Sequence, residues 1–187
     1  MSEPVSALKG ARALGMVDLA DAGLAGMITL RGEFASGELA AALMAETGCA
    51  VPERRRVTTG ARGKVAWMSP DELLVIVEYS RAGAVAQGLN TALKAGFFTA
   101  ANVSDARAMI RISGGQARDV LAKVCPVDFS DFSVGEVRRT RLAQVAAALW
   151  RDEPDHWTLV CFRSVAPYAW SVLETVSRPG GEVGLYR

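Results

Sequence analysis

The chain has 187 residues, 50% of them apolar and 22% charged, with a net charge of +1. This is the composition of a globular protein that can bury a sizeable core in one domain or two small ones. So small a net charge provides no global field to attract nucleic acid or an anionic membrane. Because no apolar run approaches the ~20 residues of a membrane span and no long apolar segment marks a secretory signal, we expect a cytoplasmic protein.

The first half of the chain opens with an aperiodic segment. Residues 1–25 predict an irregular N-terminal arm, which is a candidate for packing against a partner. Residues 27–30 predict a short apolar strand. Ser36 suits the N-cap of a helix over 37–47, because its hydroxyl can accept a hydrogen bond from a first-turn amide. Gly48 suits the left-handed residue that follows such a helix.

The most charged stretch comes next. Against the single acid Glu53 it carries Arg54, Arg55, Arg56, Arg62 and Lys64. One interpretation is a contact patch for an acidic partner surface or a phosphate-bearing ligand. The other is a solvated hairpin between two strands. The glycines around Arg62 lack the spacing of a phosphate-binding loop, and no Gly-x-Gly-x-x-Gly motif follows a strand.

A hairpin and a helix complete the first half. Strands are predicted over 64–68 and 73–77, joined by a Ser-Pro-Asp-Glu turn. So short a connection makes them antiparallel, and the second strand is apolar throughout, which indicates burial on both faces. An apolar stripe at helical spacing predicts a helix over 82–94.

The second half repeats this order. The sequence VSDARAMIRISGGQARDVLAKVCPVD, residues 103–128, predicts a half-buried strand, a glycine corner, a helix over 116–124 and a Cys-Pro exit. A second hairpin joins strands over 144–150 and 157–162. A last helix over 165–176 can take Ser164 as its cap.

The two halves also agree in spacing. Gly114 follows Gly32 by 82 positions, and Trp150 follows Trp67 by 83. Such consistent spacing indicates an internal duplication.

We therefore predict an α+β fold made of two ferredoxin-like (βαββα) halves, whose antiparallel sheets are covered by helices. The predicted domains are the arm over 1–25, the halves over 26–98 and 99–177, packed as one compact body, and a tail over 178–187.

Reactive groups are few in this sequence. The single histidine, His156, lies at a predicted turn, so two histidines cannot share a metal. The cysteines are far apart and odd in number: Cys49, Cys125 and Cys161. This pattern is typical of cysteines that act as small apolar residues in a reduced compartment. Asp152, Glu153 and Asp155 are predicted to be solvated in a turn, so they do not make a paired-carboxylate site. The residues by themselves therefore name no active site.

Four motifs in order resemble the gamma subunit of heterotetrameric sarcosine oxidase. They are KVAWMSPDELLVIV, VSDARAMIRISG followed by CPVD, TRLAQVAAALWRD, and CFRSVAPYAWSVL. The resemblance covers roughly residues 26–176. The strand, glycine corner and helix also resemble the wider aminomethyltransferase-like folate-binding superfamily.

The resemblance implies a subunit of an enzyme that oxidises sarcosine to glycine, hydrogen peroxide and a one-carbon unit. It implies that the other subunits (alpha, beta and delta) hold FAD, FMN, NAD, tetrahydrofolate and zinc. This chain would then carry no cofactor or catalytic residue, and would support assembly by packing on the alpha subunit. The candidate contact residues are the arm near 5–17, Arg54, Arg55, Arg56 and Arg62, and Tyr186 in the tail.

Two alternatives stay open. The chain is similar to stand-alone folate-binding aminomethyltransferases, with Asp105 as a candidate acid, although those proteins are longer. It is also a candidate adaptor for another flavoprotein. Tetrahydrofolate binding by the isolated chain would favour the first alternative, whereas the identity of a co-purified flavoprotein separates the others.

Overall fold

A computed structural model describes residues 3–186, which contain eleven strands and four α-helices. The strands are β1 (Arg12–Leu14), β2 (Asp18–Asp21), β3 (Ala25–Arg31), β4 (Val57–Gly60), β5 (Gly63–Ser69), β6 (Glu72–Glu78), β7 (Thr99–Asn102), β8 (Arg107–Ser113), β9 (Val137–Leu142), β10 (Val145–Glu153) and β11 (His156–Phe162). The helices are α1 (Gly37–Thr47), α2 (Ala82–Ala92), α3 (Ala117–Ala122) and α4 (Ala166–Val176). Residues 1, 2 and 187 of the predicted arm and tail lie outside the described residues.

The chain forms two compact units. The contiguous unit comprises residues 25–104, and the split unit comprises 3–24 together with 105–186. The predicted boundary after residue 98 is therefore too early, because β7 pairs with β3 and belongs to the contiguous unit. The predicted mixed α/β fold with antiparallel sheets is confirmed. The packing of the halves into one body stays a prediction.

In the contiguous unit, an antiparallel sheet has the strand order β4-β5-β6-β3-β7. Its core is apolar and includes Ile28, Leu39, Val75 and Leu89, none of which exposes any surface. Helix α1 has the predicted bounds because both ends carry their own signals. Ser36 accepts a hydrogen bond from the Leu39 amide (3.4 Å), and Gly48 is left-handed at φ 73°.

In the split unit, the sheet order is β1-β2-β8-β11-β10-β9, with every neighbouring pair antiparallel. The prediction of an irregular N-terminal arm is therefore wrong over Arg12–Leu14 and Asp18–Asp21, which form β1 and β2. Strand β2 pairs with β8, from Asp18 opposite Ser113 to Asp21 opposite Ile110. Without β2, β8 would leave its backbone groups unpaired at a sheet edge. The arm thus completes the sheet of its own chain.

A carboxylate holds the arm in place. Asp21 accepts hydrogen bonds from the amides of Gly10 (2.9 Å) and Gly23 (3.1 Å) and from the hydroxyl of Ser6. At the other end of the chain, Lys123 donates to the carbonyls of Val176 (2.8 Å) and Gly181 (2.5 Å). These hydrogen bonds add to the strand pairing of the arm and hold the segments around Ser6 and Gly181, which have no regular secondary structure.

The two units repeat the same elements, and their bulges fix the correspondence. The hairpin pairing shifts between Trp67 and Ser69 in one unit and between Arg151 and Glu153 in the other. Trp67 therefore corresponds to Arg151, and the predicted Trp67–Trp150 correspondence is wrong by one position. The slot that β7 occupies beside β3 is occupied by β2 beside β8.

Two further local predictions have different outcomes. The turn between β5 and β6 is confirmed, and the Ser69 hydroxyl donates to Asp71 at 2.5 Å, which lowers the pKa of that carboxyl. The predicted Ser164 cap is wrong, since a 3-10 turn over Arg163–Val165 precedes α4 and no side chain of the described residues caps that helix. None of the helices within 3–186 combines the length and apolarity that a membrane crossing requires.

Candidate partner interface

The predicted basic patch is a turn followed by an edge hairpin. The Arg56 amide donates to the Glu53 carbonyl at 3.0 Å, which closes a tight turn. Arg55 has a φ of 62° in that turn, and both Arg54 and Arg55 are exposed. Adjacent exposed guanidinium groups can bind a carboxylate surface by charge-assisted hydrogen bonds. The solvated hairpin, the alternative interpretation, is also present as β4 and β5.

Arg62 lies at the opposite end of β4 from that turn. Its guanidinium group donates to the carbonyls of Ala45 and Glu46 in the last turn of α1, and Arg81 also donates to the Glu46 carbonyl at 3.3 Å. Cations at this position complement the negative end of a helix dipole. Four strand residues at about 3.3 Å each separate Arg62 from the other three arginines, so the structure does not gather the predicted residues into one cluster.

Tyr186 belongs to the other unit and contacts its core. Its amide donates to Asp119 (3.1 Å), its hydroxyl accepts from the Phe129 amide (3.3 Å), and its ring meets that of Phe129 edge-on. The tail therefore binds its own unit, while Leu185 beside it is 63% exposed. A role in partner contact stays a prediction for Tyr186 and for all four arginines.

Of the carboxylates considered as catalytic candidates, Asp152 and Glu153 make contacts within the β10–β11 hairpin, whereas Asp105 lies outside it. Asp152, the bulge residue of β10, accepts from Trp150 Nε1 (3.1 Å) and from the Thr158 hydroxyl (2.6 Å). His156 is exposed, as predicted, and its Nδ1 lies 3.5 Å from a Glu153 carboxylate oxygen. Asp105 is exposed in a 3-10 turn before β8.

The cysteines are buried, as predicted, and free. Burial raises the pKa of Cys125 to about 12 and that of Cys161 to about 11. Thiols with such pKa values stay protonated near neutral pH and are poor nucleophiles.

Sequence reasoning missed two surface features. Edge strand β9 carries Arg138, Arg139 and Arg141, and the last two are exposed. Because four of its six residues are polar, the sequence of β9 gives no clear apolar pattern that would predict a strand. The loop between α2 and β7 presents Phe97, whose ring is fully exposed. The adjacent Phe-Phe pair was the available signal, but an isolated sequence does not tell which ring turns inward.

Residues 31–178 match the model of a family described as sarcosine oxidase, gamma subunit family. The sarcosine oxidase gamma subunit of Corynebacterium sp. (strain U-96) is 30% identical over 130 residues, which are 64% of this chain and 60% of that protein. The gamma subunit of Arthrobacter sp. is 32% identical over 121 residues, 63% and 59% of the two chains. The chain therefore spans about three fifths of these two relatives.

Two solved structures are similar in fold. One chain of a heterotetrameric sarcosine oxidase from Corynebacterium sp. U-96 superimposes with a TM-score of 0.79 at 27% identity, covering 89% of this chain and 87% of that one. An aminomethyltransferase T of the glycine cleavage system from Bartonella henselae gives a TM-score of 0.63 over 85% of this chain and 45% of that one. At 13% identity the second likeness concerns the fold alone.

Proposed function

The chain belongs to the sarcosine oxidase gamma subunit family, and on that premise we propose that it is the non-catalytic gamma subunit of a heterotetrameric sarcosine oxidase. The complex would convert sarcosine to glycine, hydrogen peroxide and a one-carbon unit in the cytoplasm. The observation that carries the proposal is the match to a chain of such a heterotetramer over nearly the full length of both chains.

The chemistry of the described residues supports an assembly role. The carboxylate of Asp152 is occupied by Trp150 and Thr158, and burial keeps Cys125 and Cys161 protonated. We propose that this chain docks mainly on the alpha subunit, with beta and delta completing the assembly. The FAD, FMN, NAD, tetrahydrofolate and zinc sites would then lie in those subunits.

Co-expression of the tagged chain with the other three subunits tests the proposal. The expected result is a stoichiometric yellow complex that oxidises sarcosine, whereas the isolated chain neither turns over sarcosine nor binds tetrahydrofolate in a calorimetric titration. Turnover of a methylated amino acid by the chain alone would contradict the proposal. Folate binding by the isolated chain would favour the aminomethyltransferase-like alternative instead. Co-purification with an unrelated flavoprotein would make the chain an adaptor.

A further inference from the structure

Two adjacent phenylalanines in the contiguous unit behave in opposite ways. The side chain of Phe97 is 103% exposed, whereas Phe98 is half-buried and packs against the unit's core. An aromatic ring carries a large apolar area, and burial of that area is the usual source of its stabilising effect in cores and interfaces. Phe97 obtains none of that stabilisation within the chain.

The loop that carries Phe97 is held on both sides. A Cβ atom at Gly32 would overlap the Phe98 ring, and one at Gly96 would lie 2.6 Å from Phe98 Cε2, so the ring fits closely against both glycines. The Gly96 amide donates to the carbonyl of Leu93, which is 2% exposed. Because the loop is already ordered, docking of Phe97 would cost little conformational entropy.

The surroundings of Phe97 define the kind of partner. Its exposed sequence neighbours are small or uncharged, except for one cation: Ala92, Lys94, Ala95, Gly96 and Thr99. A single large exposed aromatic flanked in the sequence by small residues suits an anchor that enters a pocket, since interface centres are depleted in charge and enriched in aromatic residues.

We propose that Phe97 is the anchor by which this chain docks into an apolar pocket with an acidic rim on another sarcosine oxidase subunit. The inference rests on the proposed function, which supplies a protein partner. A second copy fits less well, because a two-fold interface centred on Phe97 would bring the two Lys94 ammonium groups together. An acidic rim instead complements Lys94.

The test measures affinity of the full-length chain for the subcomplex of the other three subunits. Phe97→Ala should raise Kd by about 10- to 100-fold, as expected for a hot-spot aromatic, and should leave the Tm of the isolated chain unchanged. Phe97→Leu should recover part of the affinity. The matched control is Tyr168→Ala, because Tyr168 is also an exposed aromatic residue (42%) but lies on α4 of the other unit, outside the candidate contact segments. Its Kd should equal that of the wild type.

The outcomes separate the two proposals. If the wild-type chain fails to bind the other subunits, the proposed function falls, and the anchor falls with it. If the wild type binds and Phe97→Ala binds equally well, the anchor alone is wrong. If the wild-type chain dimerises by itself and Phe97→Ala is monomeric, the surface belongs to a second copy and the inference is overturned.

Discussion

The carboxamide of Asn90 makes two hydrogen bonds to the backbone of Ala100. Asn90 Nδ2 donates to the Ala100 carbonyl at 2.7 Å, and the Ala100 amide donates to Asn90 Oδ1 at 3.0 Å. In an antiparallel strand both backbone groups of a residue point to the same side, so Asn90 covers the edge of β7 that faces away from β3. In the split unit, β1 covers the corresponding edge of β2.

We predict that Asn90→Ala lowers the free energy of unfolding by about 1–3 kcal/mol, because two backbone groups lose their partners. Asn90→Asp should also destabilise, since it keeps the acceptor but loses the donor. Gln87→Ala, an exposed change on the same helix, is the control. Urea denaturation measures all three variants, and equal midpoints for Asn90→Ala and Gln87→Ala would contradict the role of Asn90.

The two most buried tryptophans should respond differently to truncation. Trp150 and Trp157 are 2% and 1% exposed. Trp150 Nε1 donates to Asp152, whereas Trp157 Nε1 is, among residues 3–186, the buried side-chain polar atom without a hydrogen-bond partner. Trp150→Phe should cost about 2–4 kcal/mol because Asp152 also loses a donor. Trp157→Phe should cost about 1–2 kcal/mol less in the same denaturation experiment. The reverse order would show that packing outweighs the hydrogen bond.

At position 143, in the hairpin between β9 and β10, glycine should give a more stable protein than alanine does. Ala143 has a φ of 49°, in the left-handed region that costs a residue with a Cβ about 1–2 kcal/mol. Glycine loses part of this gain through its more flexible unfolded state, so Ala143→Gly should raise stability by about 0.5 kcal/mol. The same change at Ala146, exposed in β10, should lower it by about 0.5–1 kcal/mol. Calorimetric Tm values test the opposite signs.

The buried thiols predict a loss of stability in alkali. The ordinary thiol pKa is 9.0, and burial raises the values of Cys125 and Cys161 to about 12 and about 11. The unfolded chain therefore releases these protons first. The contribution of the protonated thiols to the free energy of unfolding is complete below pH 9.0. It declines as the pH rises towards the pKa values of the folded chain, by up to about 1.4 kcal/mol per thiol and pH unit.

Comparison with Cys125→Ala isolates this effect from other titrations. Between pH 8 and pH 10.5, the variant should lose roughly half of the thiol-dependent slope. An unchanged slope would mean that the Cys125 thiol ionises as readily in the folded chain as in the unfolded one.

The tail should detach when its lysine is removed. Lys123→Met keeps a long apolar side chain but loses the donor to Val176 and Gly181. Amide hydrogens near Tyr186 should then exchange at least ~10-fold faster, corresponding to a loss of about 1.4 kcal/mol of local stability. Lys94→Met, an exposed change in the other unit, should leave exchange in the tail unaltered.

Elements with their own local signals could be predicted from the sequence. Helix α1 has Ser36 and Gly48 at its ends, and strand β6 is apolar throughout. Strands β1 and β2 could not be predicted, because segments of three and four residues show no period and their stability comes from pairing with a strand far along the chain. The engagement of Arg62 was equally hidden, since charge patterning does not reveal the helix end that accepts its hydrogen bonds.

The placement of β2 beside β8 has a consequence for biosynthesis. On the ribosome the contiguous unit can finish its sheet soon after β7 emerges. Strand β2, made much earlier, can pair with β1 at once but must wait for β8, which is translated only after that entire unit. A nascent polypeptide released early would therefore carry β2 with one edge unpaired, and that edge is prone to pair with a strand of another chain.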